Sequence, residues 1–160
     1  MPSVLGIPTV GCGKLLEVLR TAGPIITYIL DEKNQGGGIL CVAGPKTGLT
    51  ILLSIFGCLN ATDHGEYMLF AQEKAVRLAR NITDFSSFQT RNLKTEPKKY
   101  GGAVRGRNFI FSFSGFTEEQ DEAAMLALAV KLEEIDLEQA RRIAEISGNQ
   151  YFSRLWGWTQ

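Results

Sequence analysis

The sequence predicts an α+β layered sandwich, a five-stranded antiparallel sheet flanked by helices. Two glycine-rich turns in quick succession, Asn34-Gln35-Gly36-Gly37-Gly38 and Gly44-Pro45-Lys46-Thr47-Gly48, separate short β-prone runs, which implies a meander. The apolar period then changes to that of an amphipathic helix. After Gly101-Gly102 a hairpin pattern returns and is followed by helices.

Leu15, Leu16, Val18 and Leu19 predict a short first helix that stops at Ala22-Gly23-Pro24. Ile25 to Leu30 is rich in Ile, Thr and Tyr and reads as a strand. Ile39 to Ala43 and Leu49 to Phe56 read as the next two strands. Asp63 is a candidate cap for a helix from about Glu66 to Arg80, with Tyr67, Phe70, Ala71, Ala75, Leu78 and Ala79 on one stripe. Thr83 to Tyr100 is polar and aperiodic, a long loop. Ala103 to Arg105 and Phe109 to Ser114 make a hairpin around Gly106-Arg107-Asn108. Thr117 and Gln120 have capping-box spacing, and Glu118 and Glu119 suit the positive end of the helix dipole. That helix runs to about Leu132, with Met125, Leu128, Ala129 and Leu132 inward. Another starts at Asp136, buries Leu137, Ala140 and Ala144, and stops at Ser147-Gly148-Asn149. Tyr151, Phe152, Trp156 and Trp158 follow in a tail that must be buried, on its own core or at an oligomer contact.

At 160 residues and 44% hydrophobic content, the chain fits one globular domain spanning residues 1–160. The 17 basic and 17 acidic residues cancel, which argues against a general nucleic-acid binder. The longest apolar stretch, Leu49 to Leu59, is about half the ~20 residues that span a bilayer, so no membrane partner is expected. The first basic residue after MPSVLGIPTVGCG is Lys14, unlike a secretory signal, and a cytoplasmic protein is expected. The sequons at Asn60 and Asn81 then read as chance matches.

No Walker A, dinucleotide-binding or nucleophile-elbow motif is present. Cys12, Cys41 and Cys58 lack metal-ligand spacing and read as buried or idle thiols. The single histidine, His64, reads as a loop or helix-capping residue, with axial iron ligation as the alternative. No metal site and no catalytic residue are assigned. Glu118, Glu119, Asp121 and Glu122 would need a cleft and separated pKa values to act as acid and base. Their place in a first helical turn accounts for them without catalysis.

The zero net charge hides an asymmetry. Lys74 to Arg107 carries nine basic residues against two acids, and Thr117 to Ile146 carries nine acids against three bases. These segments are solvated faces, or a basic receiver for an anionic ligand, or complementary surfaces of two subunits.

Tyr100 to Ala129, YGGAVRGRNFIFSFSGFTEEQDEAAMLALA, contains Gly101-Gly102, a hairpin, Ser114-Gly115, a short spacer and Gln120-Asp121-Glu122. Upstream, Ala71 to Ala79 carries a Lys74-Ala75 pair. This pattern, over about residues 36–133, resembles the GlcG/HbpS-like family, haem-degrading-domain-like and of DUF336 type. The first hairpin departs from it: Val42-Ala43-Gly44-Pro45 and Phe56-Gly57-Cys58 stand where the family has a Val-Asp turn and an Arg-Met-Asp-Gly segment. Ile25 to Leu30 and the tail after Gly148 look like additions to the family's pattern.

The resemblance implies a profilin-like sandwich, a homo-oligomer and, as in some members, a haem or corrinoid-type cofactor. The expected function is non-catalytic binding of a small anionic ligand. Lys74, Arg77 and Arg80 are then the candidates for its carboxylates, with Tyr100-Gly101-Gly102 as a backbone rim. Ser114, Gly115, Gln120, Asp121 and Glu122 are the motif residues. The competing readings are an enzyme acting on a small anionic metabolite through Lys74 and Asp121, and a structural assembly protein that buries Trp156 or Trp158 against a partner.

Overall fold

The computed structural model describes residues 11–33 and 36–160. The N-terminal stretch, Asn34-Gln35 and the Cys12 side chain, all read in the sequence, lie outside the described part. The elements in order are α1 (Cys12–Lys33), β1 (Gly37–Ala43), β2 (Thr50–Gly57), α2 (Ala61–Arg80), β3 (Ala103–Arg105), β4 (Ile110–Ser114), α3 (Glu118–Lys131), α4 (Leu137–Ser147) and α5 (Tyr151–Thr159). The sheet is antiparallel, in the order β2-β1-β4-β3.

The α+β class matches the expectation, but the sheet has four strands, not five. Ile25 to Leu30 is not a strand: it continues α1, which passes straight through Gly23-Pro24. Val18, Ala22, Ile25, Ile26 and Ile29 fall on one helical stripe, and all are buried. Proline inside a helix costs about 3 kcal/mol or more. Burying one large aliphatic side chain returns about 1.5–3 kcal/mol, and this stripe buries several. Pro24 itself lies on the exposed side of α1, where the carbonyl its ring displaces can turn to water.

The sheet separates two apolar layers. On one side Leu40, Val42, Phe111 and Phe113 pack against α1, α3 and α5. On the other side Ile39, Cys41, Ala43 and Ile110 pack against Ala71, Ala75, Leu78 and Ala79 of α2. Every residue of β1 is therefore buried. Ala123 to Ala129 of α3 are all buried, since sheet and helices surround that helix.

Asn60, not Asp63, caps α2: its Oδ1 accepts from the Asp63 N–H at 2.8 Å, and its Nδ2 donates to Asp63 Oδ2 at 2.9 Å. Asn81 closes the other end, donating to the Arg77 carbonyl at 2.7 Å. Both sequon asparagines thus work as helix caps. The Thr117/Gln120 capping box forms at α3, and Asp136 with Gln139 forms another at α4. The long loop is partly ordered by a 3₁₀ turn over Ser87–Thr90. The aromatic tail coils into α5 and packs within the chain: Phe152 is buried, and Trp158 stacks on Tyr28 with centroids 4.3 Å apart.

Candidate functional site

The basic and acidic segments meet each other inside the same chain. Lys74, on the buried face of α2, donates to Asp121 Oδ2 at 3.1 Å and to the Phe113 carbonyl at 2.8 Å. The other Asp121 oxygen accepts from the Phe116 N–H at 3.0 Å. Burial pushes the Asp121 carboxyl up from the ordinary carboxylate range, while the Lys74 ammonium and the Phe116 N–H work to hold it down. Gly102 closes this site: a Cβ there would lie 2.9 Å from Lys74 Nζ, and its φ of +120° is one that side chains avoid.

Arg77 is a hub rather than a free cation. Its guanidinium pairs with Glu73 and donates to the Ser87 carbonyl and Thr90 Oγ1 at 2.7 Å and to the Tyr100 carbonyl. It thereby staples the long loop and the Tyr100-Gly101 backbone to α2. Arg91 grips Glu118 with contacts of 2.9 Å, and Glu118 also accepts from the Gly101 N–H at 2.8 Å. Glu122 is buried and accepts from Ser86 Oγ, from Ser147 Oγ at 2.8 Å and from Asn149 Nδ2 at 3.0 Å. Burial pushes its carboxyl up, against the pull of those three donors.

An open cleft of about 450 Å³ lies at the N-terminal end of α2. Its walls are Lys33 at the end of α1, Gly36-Gly37 entering β1, the Cys58-Leu59-Asn60 turn, Asp63 and Tyr67 of α2, and Gly115-Phe116. Lys33 Nζ stands 5.6 Å from the centroid of the Phe116 ring and donates to Gln120 Oε1 at 3.3 Å. Burial raises the Tyr67 phenol, helped by the negative charge of Asp63, Glu66 and Asp121, so it stays a neutral donor. Gly115 forms the floor: a Cβ there would sit 2.4 Å from the Gly37 carbonyl oxygen, so strand β1 and the turn before α3 touch backbone to backbone.

The predicted site residues divide accordingly. Lys74 and Asp121 are brought into contact, but at 1% and 2% exposure they are sealed. Arg77, Gly101 and Gly102 are buried, and Arg80 is exposed at the far end of α2. The Tyr100 ring packs edge-on against Phe70, with centroids 5.1 Å apart. Gly115 lines the cleft, Gln120 holds Lys33 beside it, Ser114 is buried in β4 and Glu122 lies in its own network. His64 is half-buried in the first turn of α2, with its N–H bonded to the Asn60 carbonyl at 2.9 Å. Among the described residues no group of three or more His, Cys, Asp or Glu is placed to hold a metal ion. No described helix is long and apolar enough to cross a membrane.

Lys33, Tyr67, Phe116 and Cys58 were not singled out as site residues from the sequence. Reading Ile25 to Leu30 as a strand hid Lys33, which becomes the last residue of a helix only once α1 runs through Pro24. The Gly36-Gly37 and Ser114-Gly115 pairs were the available signal, since close backbone approach needs glycine.

No family model matches the chain, and no curated protein matches it by sequence. Solved structures do match. Klebsiella pneumoniae protein ORFY, of family model DUF336, aligns with a TM-score of 0.55 at 13% identity, over 81% of this chain and 94% of that one. This chain shares the fold of that protein. The PduOC:haem complex aligns at 0.52 and 12% identity, over 81% of this chain and 96% of that one. Ybr137w protein aligns at 0.51 and 18% identity, over 80% of this chain and 81% of that one. The structural neighbours thus include a protein of the family type that the Ser-Gly and Gln-Asp-Glu pattern suggested.

Proposed function

We propose that this protein binds a small anionic ligand without transforming it, as a homo-oligomer in the cytoplasm, and that the cleft at the N-terminal end of α2 is the seat. The observation that carries the reading is the convergence there of one cation, Lys33, two aromatic side chains, Phe116 and Tyr67, and exposed glycine backbone. A cleft of about 450 Å³ falls within the ~300–1,000 Å³ range of small-molecule sites. A planar tetrapyrrole with carboxylate arms is the first ligand to test, because one neighbour with this fold is a haem complex. The residues fit such a group in kind: Lys33 for a carboxylate, and the Phe116 and Tyr67 rings for the macrocycle edge. In this reading Lys74, Arg77 and Tyr100-Gly101-Gly102 act beneath the ligand, fixing α2 and the turn before α3 that carry the cleft walls.

Haem titration followed by absorbance tests this. A saturable Soret shift is expected, with affinity reduced about tenfold or more, roughly 1.4 kcal/mol, in Lys33→Glu. Tyr67→Ala is expected to weaken binding as well, with the thermal melt as the control for folding. An unsaturable shift, or one unchanged by both substitutions, overturns the tetrapyrrole version.

A further inference from the structure

A second cleft, of about 420 Å³, lies between the β3–β4 turn, α4 and the segment that follows α2. Its volume too falls within the ~300–1,000 Å³ range of small-molecule sites. It sits at the opposite end of β4 from Gly115, and it shares no lining residue with the α2 cleft. Ile135 and Ile143 line it from the buried core. Phe85 and Ile146 line it from the surface, at 50% and 57% exposure. Large apolar side chains left exposed around a hollow with a polar rim mark ligand grooves.

The polar part of the wall is cationic. Arg105, Arg107 and Arg142 line it against one acid, Glu134. The Glu134 carboxylate is already engaged, accepting from the Asn108 N–H at 2.7 Å and from Asn108 Nδ2 at 3.3 Å. Arg142 is answered by Glu138, one turn earlier on α4. Arg105 has no such answer. Its half-buried guanidinium donates to main-chain carbonyls alone, those of Asp84, Pro45, Leu78 and Asn81. Burial pulls its pKa down, against the more distant charge of Asp84. Arg107, exposed on the turn, likewise forms no ion pair among the described residues. The residues outside the described part, 1–10 and 34–35, contain no acid, so they hold no carboxylate for either guanidinium. A cation removed from water without an anion is unfavourable, and a ligand can supply the missing charge.

We infer that this cleft is a second binding site, for a small amphipathic carboxylate whose apolar chain or ring lies between Phe85 and Ile146 and whose carboxylate meets Arg107. Glu134 offsets one of the two unpaired guanidiniums, which leaves the charge of a monoanion to be matched. Arg107 is the direct partner, since the guanidinium fork can hold a carboxylate by two parallel bonds. Arg105, turned toward carbonyls, adds fixed positive charge behind it and positions the wall, with its N–H also donating to the Phe85 carbonyl at 2.9 Å. A bare anion would leave Phe85 and Ile146 wet, and a neutral apolar molecule would leave the charge unmatched. The site is independent of the α2 cleft and of the homo-oligomer.

Calorimetric titration of the full chain with decanoate, decanol and inorganic phosphate tests this. Decanoate should bind saturably in the millimolar range or tighter, one per chain. Decanol and phosphate should each bind about tenfold more weakly or not at all. Arg107→Gln should weaken decanoate about tenfold or more, and Ile146→Glu, which sets a carboxylate beside the chain, should abolish it. Thermal melts check that both variants remain folded. Lys33→Glu, which alters the other cleft, should bind decanoate as the wild type does. Absence of saturation, or decanol binding as well as decanoate, overturns the inference. So does decanoate binding that survives both Arg107→Gln and Ile146→Glu. Decanoate binding lost in Lys33→Glu alone would place it in the α2 cleft, overturning this site while leaving the proposed function standing.

Discussion

The Lys74 ammonium and the Asp121 carboxylate meet at 3.1 Å, with both side chains almost fully removed from water. Each satisfies a main-chain group as well, the Phe113 carbonyl and the Phe116 N–H, so the pair ties α2, the end of β4 and α3 together. Removing one member leaves the other charge buried alone, which typically costs about 3–5 kcal/mol. Lys74→Met and Asp121→Asn should each lower stability by that order in urea denaturation. The double variant should lose clearly less than the sum of the two. Additive losses would mean that the two residues do not act as a pair.

Glu122 sets a pH dependence of definite sign. Its carboxyl is raised by burial, so the folded chain holds a proton over a pH range where the unfolded chain has released it. Stability from this group is full below the ordinary carboxylate range and is lost as pH rises through the folded value. Glu122→Gln removes the titration; its one oxygen replaces Oε2 towards Ser86 and Ser147, and its NH2 takes the place of Oε1 opposite Asn149, a constant cost that does not vary with pH. Denaturation at a series of pH values should show the wild type losing stability relative to Glu122→Gln as pH climbs from about 4.5. A constant difference between the two proteins would contradict the assignment.

Pro24 stands on the exposed face of a continuous helix, kept there by Val18, Ala22, Ile25, Ile26 and Ile29. Pro24→Ala should restore one backbone hydrogen bond and relieve a clash, a gain of about 3 kcal/mol. Greater freedom of the unfolded chain takes back about 1 kcal/mol of it. The net gain of about 2 kcal/mol raises the melting temperature by roughly 4–8 °C for a chain of this size. A fall would mean that α1 needs the proline.

The elements that sequence displayed were those whose signals are local. The Thr117/Gln120 capping box, the Gly148 stop and the stripe from Ala71 to Ala79 all depend on residues a few positions apart. The failures came from distance. Ile25 to Leu30 has strand composition, and only its packing on α3 and β2 makes it a helix. The basic segment reads as an anion receiver because the acids that Lys74 and Arg91 pair with, Asp121 and Glu118, lie dozens of residues downstream. Lys74 with Asp121 is the exception, a pair that the enzyme reading of the sequence already joins.

Two glycine substitutions separate cleft geometry from general helix stability. At Gly115 a Cβ would stand 2.4 Å from the Gly37 oxygen and 2.5 Å from Gly38 Cα, and neither backbone atom can swing aside. Its φ of +154° adds strain for any side chain, of order 1–3 kcal/mol. Gly115→Ala should therefore push the turn before α3 away from β1, lowering stability by about 2–4 kcal/mol. Because that turn carries Phe116 and the cleft floor, ligand affinity should fall with it. Gly65, in the first turns of α2, has no neighbour within 4 Å of an added Cβ. Gly65→Ala should raise stability by about 0.5–1 kcal/mol through helix propensity and leave binding unchanged. Thermal melts with the haem titration on both variants check the contrast. Equal binding by Gly115→Ala and Gly65→Ala would place the ligand away from the α2 cleft.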